Sequence, residues 1–298
     1  MQADLPVSQL IRVIAQNFSN AGIPSPQAEA EWLLASILQT KRSGLYPQAQ
    51  RTLAPAQQQT LVEYHARRLQ REPLQYILGA CEFFGYGFRV SPAVLIPRSE
   101  TELLVEKVLT LLQSQNKPTI IDLGTGSGCI AISLARQLPT AQILAMDISI
   151  EALEIAKQNA AMHKAADRIR FLRADMCDAS TWRELPIFEC VVSNPPYVLQ
   201  QERGELQAEV RDYEPAAALY VDDDGLQFYR AIITFCEQHL KRGGWVACEM
   251  ASPRSAAIAG LFRTSFFTSV EIIHDYSGYE RHLIGKKSCT NLALRAGV

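Results

Sequence analysis

Five consecutive residues, Ser193-Asn194-Pro195-Pro196-Tyr197, carry groups that could hold a planar amino group. Pro195 and Pro196 have no backbone N–H, so the turn offers carbonyl acceptors with few donors beside them, and each proline favours an extended residue before it. The side-chain oxygen of Asn194 and the carbonyl of Pro195 could accept both hydrogens of one –NH2 group. Tyr197 adds a flat ring on which a planar amide or an amino-bearing base could stack. The candidate catalytic and acceptor-binding residues are therefore Asn194, Pro195, Pro196 and Tyr197.

For an Asn-Pro pair alone, a proline-rich turn after a buried strand is the simpler interpretation. The whole Asn-Pro-Pro-Tyr sequence is more specific, and it resembles the signature of methyltransferases that act on planar nitrogen. Their acceptors are amino groups of bases or the amide of glutamine. The resemblance implies that a methyl-donor site lies upstream, at the ends of earlier strands.

A glycine-rich loop, Asp122-Leu123-Gly124-Thr125-Gly126-Ser127-Gly128, lies between a predicted strand and a predicted helix. Its glycines permit a tight turn and the close approach of a ligand to bare backbone. A dinucleotide-binding loop would have Gly or Ala where Cys129 stands, which disfavours nicotinamide binding. S-adenosyl-L-methionine has no pyrophosphate to wrap, so acids and bare backbone suit it better.

Three acids, Asp122, Asp147 and Asp175, end the first three predicted strands, where open α/β sheets bind ligands. Asp147 follows Gly128 by 19 residues, a position from which an acid can accept both ribose hydroxyls. Asp175 could accept from the adenine amino group with Met176 packed on the ring, although an Asx turn is the alternative role for Asp175. The predicted donor-binding residues are Gly124, Thr125, Gly126, Ser127, Gly128, Asp147, Asp175, Met176 and Asn194.

Alternating strands and helices must position these residues. Strands are predicted over 119–122, 142–147, 169–173, 190–193 and 245–249. Helices are predicted over 100–113, 129–138, 150–163 and 226–240, the last closed by Gly243-Gly244. This alternation is typical of a parallel sheet with helices on both faces. Two final strands, 270–274 and 281–284, are joined by a turn too short for a crossover helix, so we expect them to pair antiparallel at the sheet edge.

The first 72 residues are predicted to be helical only, because apolar residues recur there at helical spacing. A first helix is expected over 8–20, a second with Ser25 as N-cap and Pro26 at its first position, and a third from Pro55. At the end of the third helix, Arg67, Arg68 and Arg71 form a basic cluster. We interpret this cluster as a solvated helix face, with a contact to a partner or RNA as the alternative.

Between residues 73 and 97, short β-like pieces with glycine turns predict a hairpin linker. These pieces span 75–78, 82–84, 88–90 and 93–96. The chain is thus predicted to comprise a helical substrate-docking domain (1–72), a β-hairpin linker (73–97) and a catalytic domain (98–298).

Composition bounds the class of protein. With 48% hydrophobic and 20% charged residues, the chain is typical of a soluble protein. Its net charge of −2 lacks the excess of basic residues that is usual in nucleic-acid-binding proteins. Without a membrane-length apolar stretch or a signal-like N-terminus, we expect it in the cytoplasm. The seven cysteines include no Cys-x-x-Cys pair, and the five histidines lack ligand spacing, so we expect free thiols and no metal.

Taken together, these features resemble the release factor glutamine methyltransferase family along nearly the whole chain. The resemblance implies a class I S-adenosylmethionine-dependent methyltransferase, with a Rossmann-like, mostly parallel α/β sheet and an antiparallel edge strand, preceded by a small all-α domain. It also implies a peptide chain release factor as substrate, methylated on the glutamine of its Gly-Gly-Gln motif, with S-adenosyl-L-homocysteine as product. Besides the Asn194 motif, the stretches that carry the resemblance are 72–79, 82–85, 94–98 with 100–102, 122–128, and 213–215 with 224–226.

Four positions depart from the family pattern. Ser99 stands where proline is usual, Glu189 where Asp is usual, and Ala251 and Arg254 where a Glu-x-Gly-x-x-Gln stretch is usual. We expect these departures to affect only the rim of the donor pocket and the late helix, and not the chemistry.

Two other functions compete with glutamine methylation. A methyltransferase acting on adenine or guanine amino groups would share the Asn194 motif, but it usually needs a basic groove and a flipped-out base. A regulatory S-adenosylmethionine-binding module would not need that motif. We expect a monomer whose partner is a release factor, with no membrane and no stable nucleic-acid partner.

Overall fold

The computed structural model describes residues 4–222 and 224–290, so the last eight residues of the predicted range 98–298 lie outside the described part. Two compact units are present. The helical unit comprises the described residues up to Ala80 together with Gln207–Tyr213, and the sheet unit comprises Cys81–Leu206 and the described residues from Glu214 onward. The sequence had assigned 207–213 to the catalytic part of the chain. The docking role predicted for residues 1–72 stays a prediction.

Helices and strands have the following bounds. The helices are α1 Val7–Asn20, α2 Pro26–Ile37, α3 Pro55–Leu69, α4 Leu74–Leu78, α5 Ser99–Leu112, α6 Cys129–Gln137, α7 Ile150–Met162, α8 Ala208–Tyr213, α9 Ala216–Leu219, α10 Gln227–His239 and α11 Ser255–Arg263. The strands are β1 Ala80–Phe83, β2 Tyr86–Arg89, β3 Thr119–Leu123, β4 Gln142–Asp147, β5 Ile169–Arg173, β6 Phe188–Ser193, β7 Val198–Leu199, β8 Tyr220–Val221, β9 Leu240–Glu249, β10 Phe267–His274 and β11 Glu280–Lys287. Among the described residues, no helix combines the length and apolar character needed to cross a membrane.

The helical unit packs around one face of α1. Leu10, Ile14 and Phe18 recur at helical spacing and are fully buried against Leu33 of α2 and Leu61 of α3. The three predicted helices are therefore confirmed. Ser25 does precede α2, but its backbone is left-handed (φ 51°) and its side chain makes no capping hydrogen bond.

The basic cluster at the end of α3 is not a solvated face, and that interpretation was wrong. Arg68 is only 2% exposed, and its Nη2 donates to Glu29 at 3.0 Å and to Glu209 of α8 at 2.9 Å. Arg71 also donates to Glu209, at 2.7 Å, and Arg67 pairs with Glu72. Local sequence gives no sign of Glu209, because it lies about 140 residues away and is brought to α3 only by the fold.

The predicted sheet is confirmed. Its strand order is β10-β11-β9-β6-β3-β4-β5, with parallel pairs from β9 to β5 and antiparallel pairs between β10, β11 and β9. Adjacent residues on a strand point to opposite faces, so Ile120 and Ile121 belong to different buried clusters. Residues of α5 and α6 complete one cluster, and residues of α10 and α11 complete the other.

Three local predictions were wrong. Residues 75–78 form helix α4 instead of a strand, because Pro73 opens a helical turn that Gly79 ends in the left-handed conformation (φ 70°). Residues 93–96 form the end of a turn and an irregular segment, not a strand, and the Ile96 N–H donates to the Glu214 side chain at 3.3 Å rather than to a strand partner. Residues 82–84 and 88–90 overlap β1 and β2, each of which begins two residues earlier than predicted.

The third error concerns Gly243-Gly244. Helix α10 ends at His239, and β9 begins at the next residue, so these glycines lie inside the strand. A Cβ at Gly244 would lie 2.8 Å from the Glu189 carbonyl, where the pairing of β6 with β9 is irregular. Gly244 therefore allows the close approach of two backbones.

Candidate active site

A cavity of about 550 Å³ lies where parallel strands β3 to β6 end. Because the carboxyl ends of parallel strands share one edge, residues far apart in sequence line it together. Of the predicted site residues, the ones lining it are Gly124, Thr125, Gly126, Ser127, Asp147, Asp175, Met176, Asn194 and Pro196. Gly128, Pro195 and Tyr197 are not among the lining residues.

The glycine loop is held by the backbone of β4. The amides of Gly124 and Thr125 both donate to the Met146 carbonyl, at 2.8 and 2.9 Å. Gly126 has φ 53°, and a Cβ there would meet nothing within 4 Å, so its conformation rather than its size favours glycine. A Cβ at Gly128 would lie 3.1 Å from that of Ala156, so this glycine permits close packing against α7 and not contact with the cavity.

Asp147 is anchored by two backbone amides. Its Oδ2 accepts from Gly126 at 2.8 Å and its Oδ1 from Ser149 at 2.9 Å. Burial raises the pKa of this carboxyl, and the two amide hydrogen bonds oppose that shift. Each oxygen keeps a further lone pair, so an Asp147 fixed in this way can still accept from two hydroxyl groups.

Asp175 forms the Asx turn that was the alternative, and the adenine contact stays a prediction. Its Oδ1 accepts from the Cys177 amide at 2.8 Å, which is an Asx turn, and it also lines the cavity. The neighbouring Met176 is buried, and its methyl group would lie 3.2 Å from a Cβ at Gly124. Met176 is therefore an apolar wall against the glycine loop.

Asp122 contacts the glycine loop through Thr125 and does not line the cavity. It is fully buried, and its Oδ2 accepts from the Thr125 hydroxyl at 2.7 Å. Burial raises the pKa of Asp122 to about 7, while the hydrogen bond from Thr125 opposes the shift. Asp122 thus holds Thr125 in place at the cavity wall.

Asn194 follows β6 and is fixed by α5. Its Nδ2 donates to the Thr101 hydroxyl at 3.2 Å, and Thr101 is 2% exposed. The side-chain oxygen Oδ1 is then the end of the amide left for a ligand. Pro195 is buried. The acceptor role of its carbonyl stays a prediction.

Tyr197 is held by two hydrogen bonds, one at its hydroxyl and one at its backbone carbonyl. Its hydroxyl donates to Glu249 Oε1 at 3.2 Å, and its carbonyl accepts from Arg254 at 2.6 Å. Burial raises the pKa of its hydroxyl above the ordinary value. The stacking role predicted for its ring stays a prediction.

The wall made by residues 93–98 is held by Glu214. Arg98 donates to Glu214 Oε1 at 2.5 Å, and Oε2 accepts the Ile96 amide. Burial raises the pKa of Glu214, and the neighbouring Arg98 opposes that shift. The sequence showed both stretches as family motifs but could not show that they contact each other.

Two family models match the chain: the PrmC N-terminal domain over residues 9–79 and the methyltransferase small domain over residues 99–211. The release factor glutamine methyltransferase of Geobacter sulfurreducens is 39% identical over 267 residues, which cover 89% of this chain and 91% of that protein. The chain belongs to the release factor glutamine methyltransferase family. Its similarity to the Chlorobaculum tepidum member is equally extensive, at 38% identity over 93% of this chain and 96% of that protein.

Solved structures share the fold of this methyltransferase. The hMettl16 catalytic domain, solved in complex with MAT2A 3'UTR hairpin 6, superposes with a TM-score of 0.55 at 18% identity, covering 80% of this chain and 83% of that one. The human methyltransferase 10 domain containing protein gives a TM-score of 0.50 at 19% identity, covering 70% and 91%. The predicted fold class is confirmed.

The sequence of this family member did not indicate three contacts of the Asn194 motif. Thr101, Glu249 and Arg254 all contact residues of the Asn194 motif. Arg254 is one of the departures from the family pattern, and the expectation that it lies away from the chemistry was wrong, because it donates to the Tyr197 carbonyl. Glu249 ended a predicted strand, and Thr101 lay within a family stretch, but neither had a local signal of its contact.

Proposed function

We propose that this methyltransferase transfers a methyl group from S-adenosyl-L-methionine to the side-chain nitrogen of the glutamine in the Gly-Gly-Gln motif of peptide chain release factors. The proposal is supported by one cavity that both Asp147 and Asn194 line, with the Asn194 Nδ2 bound to Thr101 so that its Oδ1 is left for an acceptor. Membership of the family supports the choice of substrate.

The charges of the cavity suit this donor. Of the described residues that line it, Asp147, Glu151, Asp175 and Asp222 are acids, and only Arg98 is cationic. Arg98 is itself paired with Glu214. A negative lining favours a cationic sulfonium and disfavours a pyrophosphate. The donor would be held by Asp147 at the ribose, by the Gly124–Ser127 backbone, and by Met176 against the adenine.

At the acceptor end, the residues act by geometry. An amide nitrogen is a poor nucleophile because its lone pair is shared with the carbonyl. S-adenosyl-L-methionine supplies an electrophilic methyl group, and S-adenosyl-L-homocysteine remains after transfer. Asn194 Oδ1 and the Pro195 carbonyl each accept one hydrogen of the glutamine –NH2, which orients the nitrogen and favours positive charge on it. The surplus proton passes to water.

Release factors act on ribosomes, so we expect the protein to work in the cytoplasm, as a monomer that binds no nucleic acid stably. The near-neutral charge of −2 supports this expectation.

The test uses the full chain, methyl-labelled donor and a purified release factor, with mass spectrometry to map the label. We expect one methyl group on the glutamine of Gly-Gly-Gln. A release factor with that glutamine changed to glutamate lacks the –NH2 group and should stay unlabelled. Labelling of an RNA or DNA substrate instead, with strongly salt-dependent binding, would establish the base-methylating alternative.

A further inference from the structure

A chain of hydrogen bonds runs from the acceptor motif into the protein interior. Asn194 Nδ2 donates to Thr101 Oγ1 at 3.2 Å, and Thr101 Oγ1 donates to Glu249 Oε2 at 2.6 Å. The other oxygen of Glu249 accepts from the Tyr197 hydroxyl at 3.2 Å. Thr101 and Glu249 are 2% and 1% exposed, so water does not compete for these bonds.

Which atom donates in each of these hydrogen bonds follows from the carboxyl group of Glu249. While Glu249 is ionised, its carboxylate only accepts, so the single hydrogen of the Thr101 hydroxyl must be donated to Glu249. The Thr101 oxygen can then only accept from Asn194. An amide that meets an acceptor must present its –NH2 end, which leaves the Asn194 oxygen as the end available to a ligand.

We propose that Glu249, acting through the Thr101 hydroxyl, sets which end of the Asn194 amide is offered to the acceptor nitrogen. Both are positioning residues, and the inference rests on the proposed function, because an –NH2 acceptor needs the oxygen and not the nitrogen of Asn194. With the amide reversed, two –NH2 groups would face each other and the acceptor would lose its hydrogen bond.

The surroundings of Glu249 determine how it titrates. The Tyr229 hydroxyl donates to its backbone carbonyl, and His282 Nε2 lies 3.9 Å from Oε2. Burial and the charge of Arg281 lower the pKa of His282 to about 4, so this ring is neutral near pH 7. Burial raises the pKa of Glu249, Glu100 adds to that shift, and Thr101, Tyr197 and Arg281 oppose it. Protonation of Glu249 at falling pH would free the Thr101 hydrogen and remove the fixed direction.

The first test replaces the hydroxyl. Thr101→Val keeps the shape but removes the relay, so we expect turnover on release factor to fall about tenfold or more, as for a lost preorganised contact. The KM for the factor and the affinity for the donor should change by less than about twofold, because neither depends on this single bond. Thr101→Ser restores the hydroxyl and should recover most of the turnover. Thr110→Val is the matched control on α5, since the exposed Thr110 hydroxyl bonds only to its own helix, at the Glu106 carbonyl.

The second test removes the charge. Glu249→Gln keeps size and hydrogen-bonding capacity but can donate to Thr101, so both amide orientations become possible. We expect a lower turnover at neutral pH and the loss of the wild-type decline in turnover at acidic pH. Melting temperatures taken at each pH separate this effect from unfolding. If Thr101→Val is unstable, Glu249→Gln decides the matter alone.

Wild-type turnover in both Thr101→Val and Glu249→Gln would overturn the inference. If Asn194→Leu is inactive at the same time, the proposed function survives that outcome. Failure of the wild-type protein to methylate any glutamine would instead remove the proposed function itself.

Discussion

Three aspartates at neighbouring strand ends differ in what surrounds them. Asp122 is fully buried and holds a hydroxyl, whereas Asp147 holds two backbone amides and borders the cavity. Asp175 closes a turn while it lines the same cavity. Each role follows from the partners that the strand ends bring within reach, so substitution of each should give a different result.

Asp147→Ala should weaken donor binding. Two hydroxyl contacts to a charged acceptor are expected to be lost, each worth on the order of 1.5–3 kcal/mol, so the dissociation constant should rise at least about a hundredfold. Calorimetry measures it, with Asp167→Ala, an exposed aspartate paired with Arg168, as control. An unchanged dissociation constant would reduce Asp147 to a turn residue.

Asp122→Asn should change how stability depends on pH. The pKa of Asp122 is raised to about 7 in the folded protein, so between its ordinary pKa of about 4 and pH 7 the folded state keeps a proton that the unfolded state releases. The folded wild-type protein is therefore destabilised as pH rises through this window. The asparagine variant is not, because its side chain does not titrate. The melting temperature of the variant relative to wild type should increase from pH 4 to pH 7 and then level off. A difference independent of pH would show that Asp122 does not titrate there.

For single residues, the sequence predicted the features that depend on nearby residues. Asp147 and the glycine loop were identifiable because a strand end and a following helix fix them locally. Thr101 and Glu249 were not, because the bond between them joins residues 148 positions apart. Asn194 was recognised, yet which end of its amide is free depends on that distant pair.

Among the elements, α3 shows how a charged helix end can be buried. Arg68 is enclosed by Glu29 of α2 and Glu209 of α8, so the short segment Gln207–Tyr213 is bound into the helical unit by ion pairs. The Tyr213 hydroxyl adds a hydrogen bond to the Gln70 carbonyl at 2.6 Å. Six residues of α8 are too few to form a stable helix alone, so these contacts hold it in place.

Arg68→Met should therefore loosen α8. Removing one partner of a buried ion pair costs about 3–5 kcal/mol, because the remaining carboxylates are left uncompensated. Hydrogen exchange of the full chain should show faster exchange at α8 and at the end of α3. Arg67→Met on the same helix is the control, since Arg67 is 35% exposed and its pair with Glu72 is worth at most about 1 kcal/mol. Equal exchange in the two variants would contradict the role of Arg68.

Elements with strong local patterns were predicted almost to the residue, as β4 and β5 show. The failures fell where tertiary contacts decide. The apolar run of α4 suits a strand or a helix equally, and Gly244 looked like a helix end but permits two strands to approach.

In the molecule as a whole, the candidate methyl-transfer site belongs to the sheet unit, because all the residues that line the cavity lie in that unit. The helical unit has its own buried core. Donor binding and recognition of a protein substrate should therefore be separable.

Deleting residues 1–80 tests this separation, with Glu209→Gln added because Arg68 and Arg71 would be gone. We expect donor affinity within about threefold of wild type and a loss of about a hundredfold or more in methylation of intact release factor, because remote binding energy is removed. A short peptide containing Gly-Gly-Gln should be affected much less. Full activity on the intact factor would show that the helical unit does not dock it.

Asn194→Leu tests whether Asn194 holds the acceptor amide. This change keeps similar bulk but removes the oxygen that accepts from the substrate, so turnover should fall by about a hundredfold to a thousandfold, or about 3–4 kcal/mol. Donor affinity should barely change, and the melting temperature should fall only slightly, because one hydrogen bond to Thr101 is lost while Thr101 keeps Glu249. Turnover, donor affinity and melting temperature are measured on the same preparation. Turnover within about threefold of wild type, with the other two values normal, would show that Asn194 does not hold the amide, since losing such a contact costs far more.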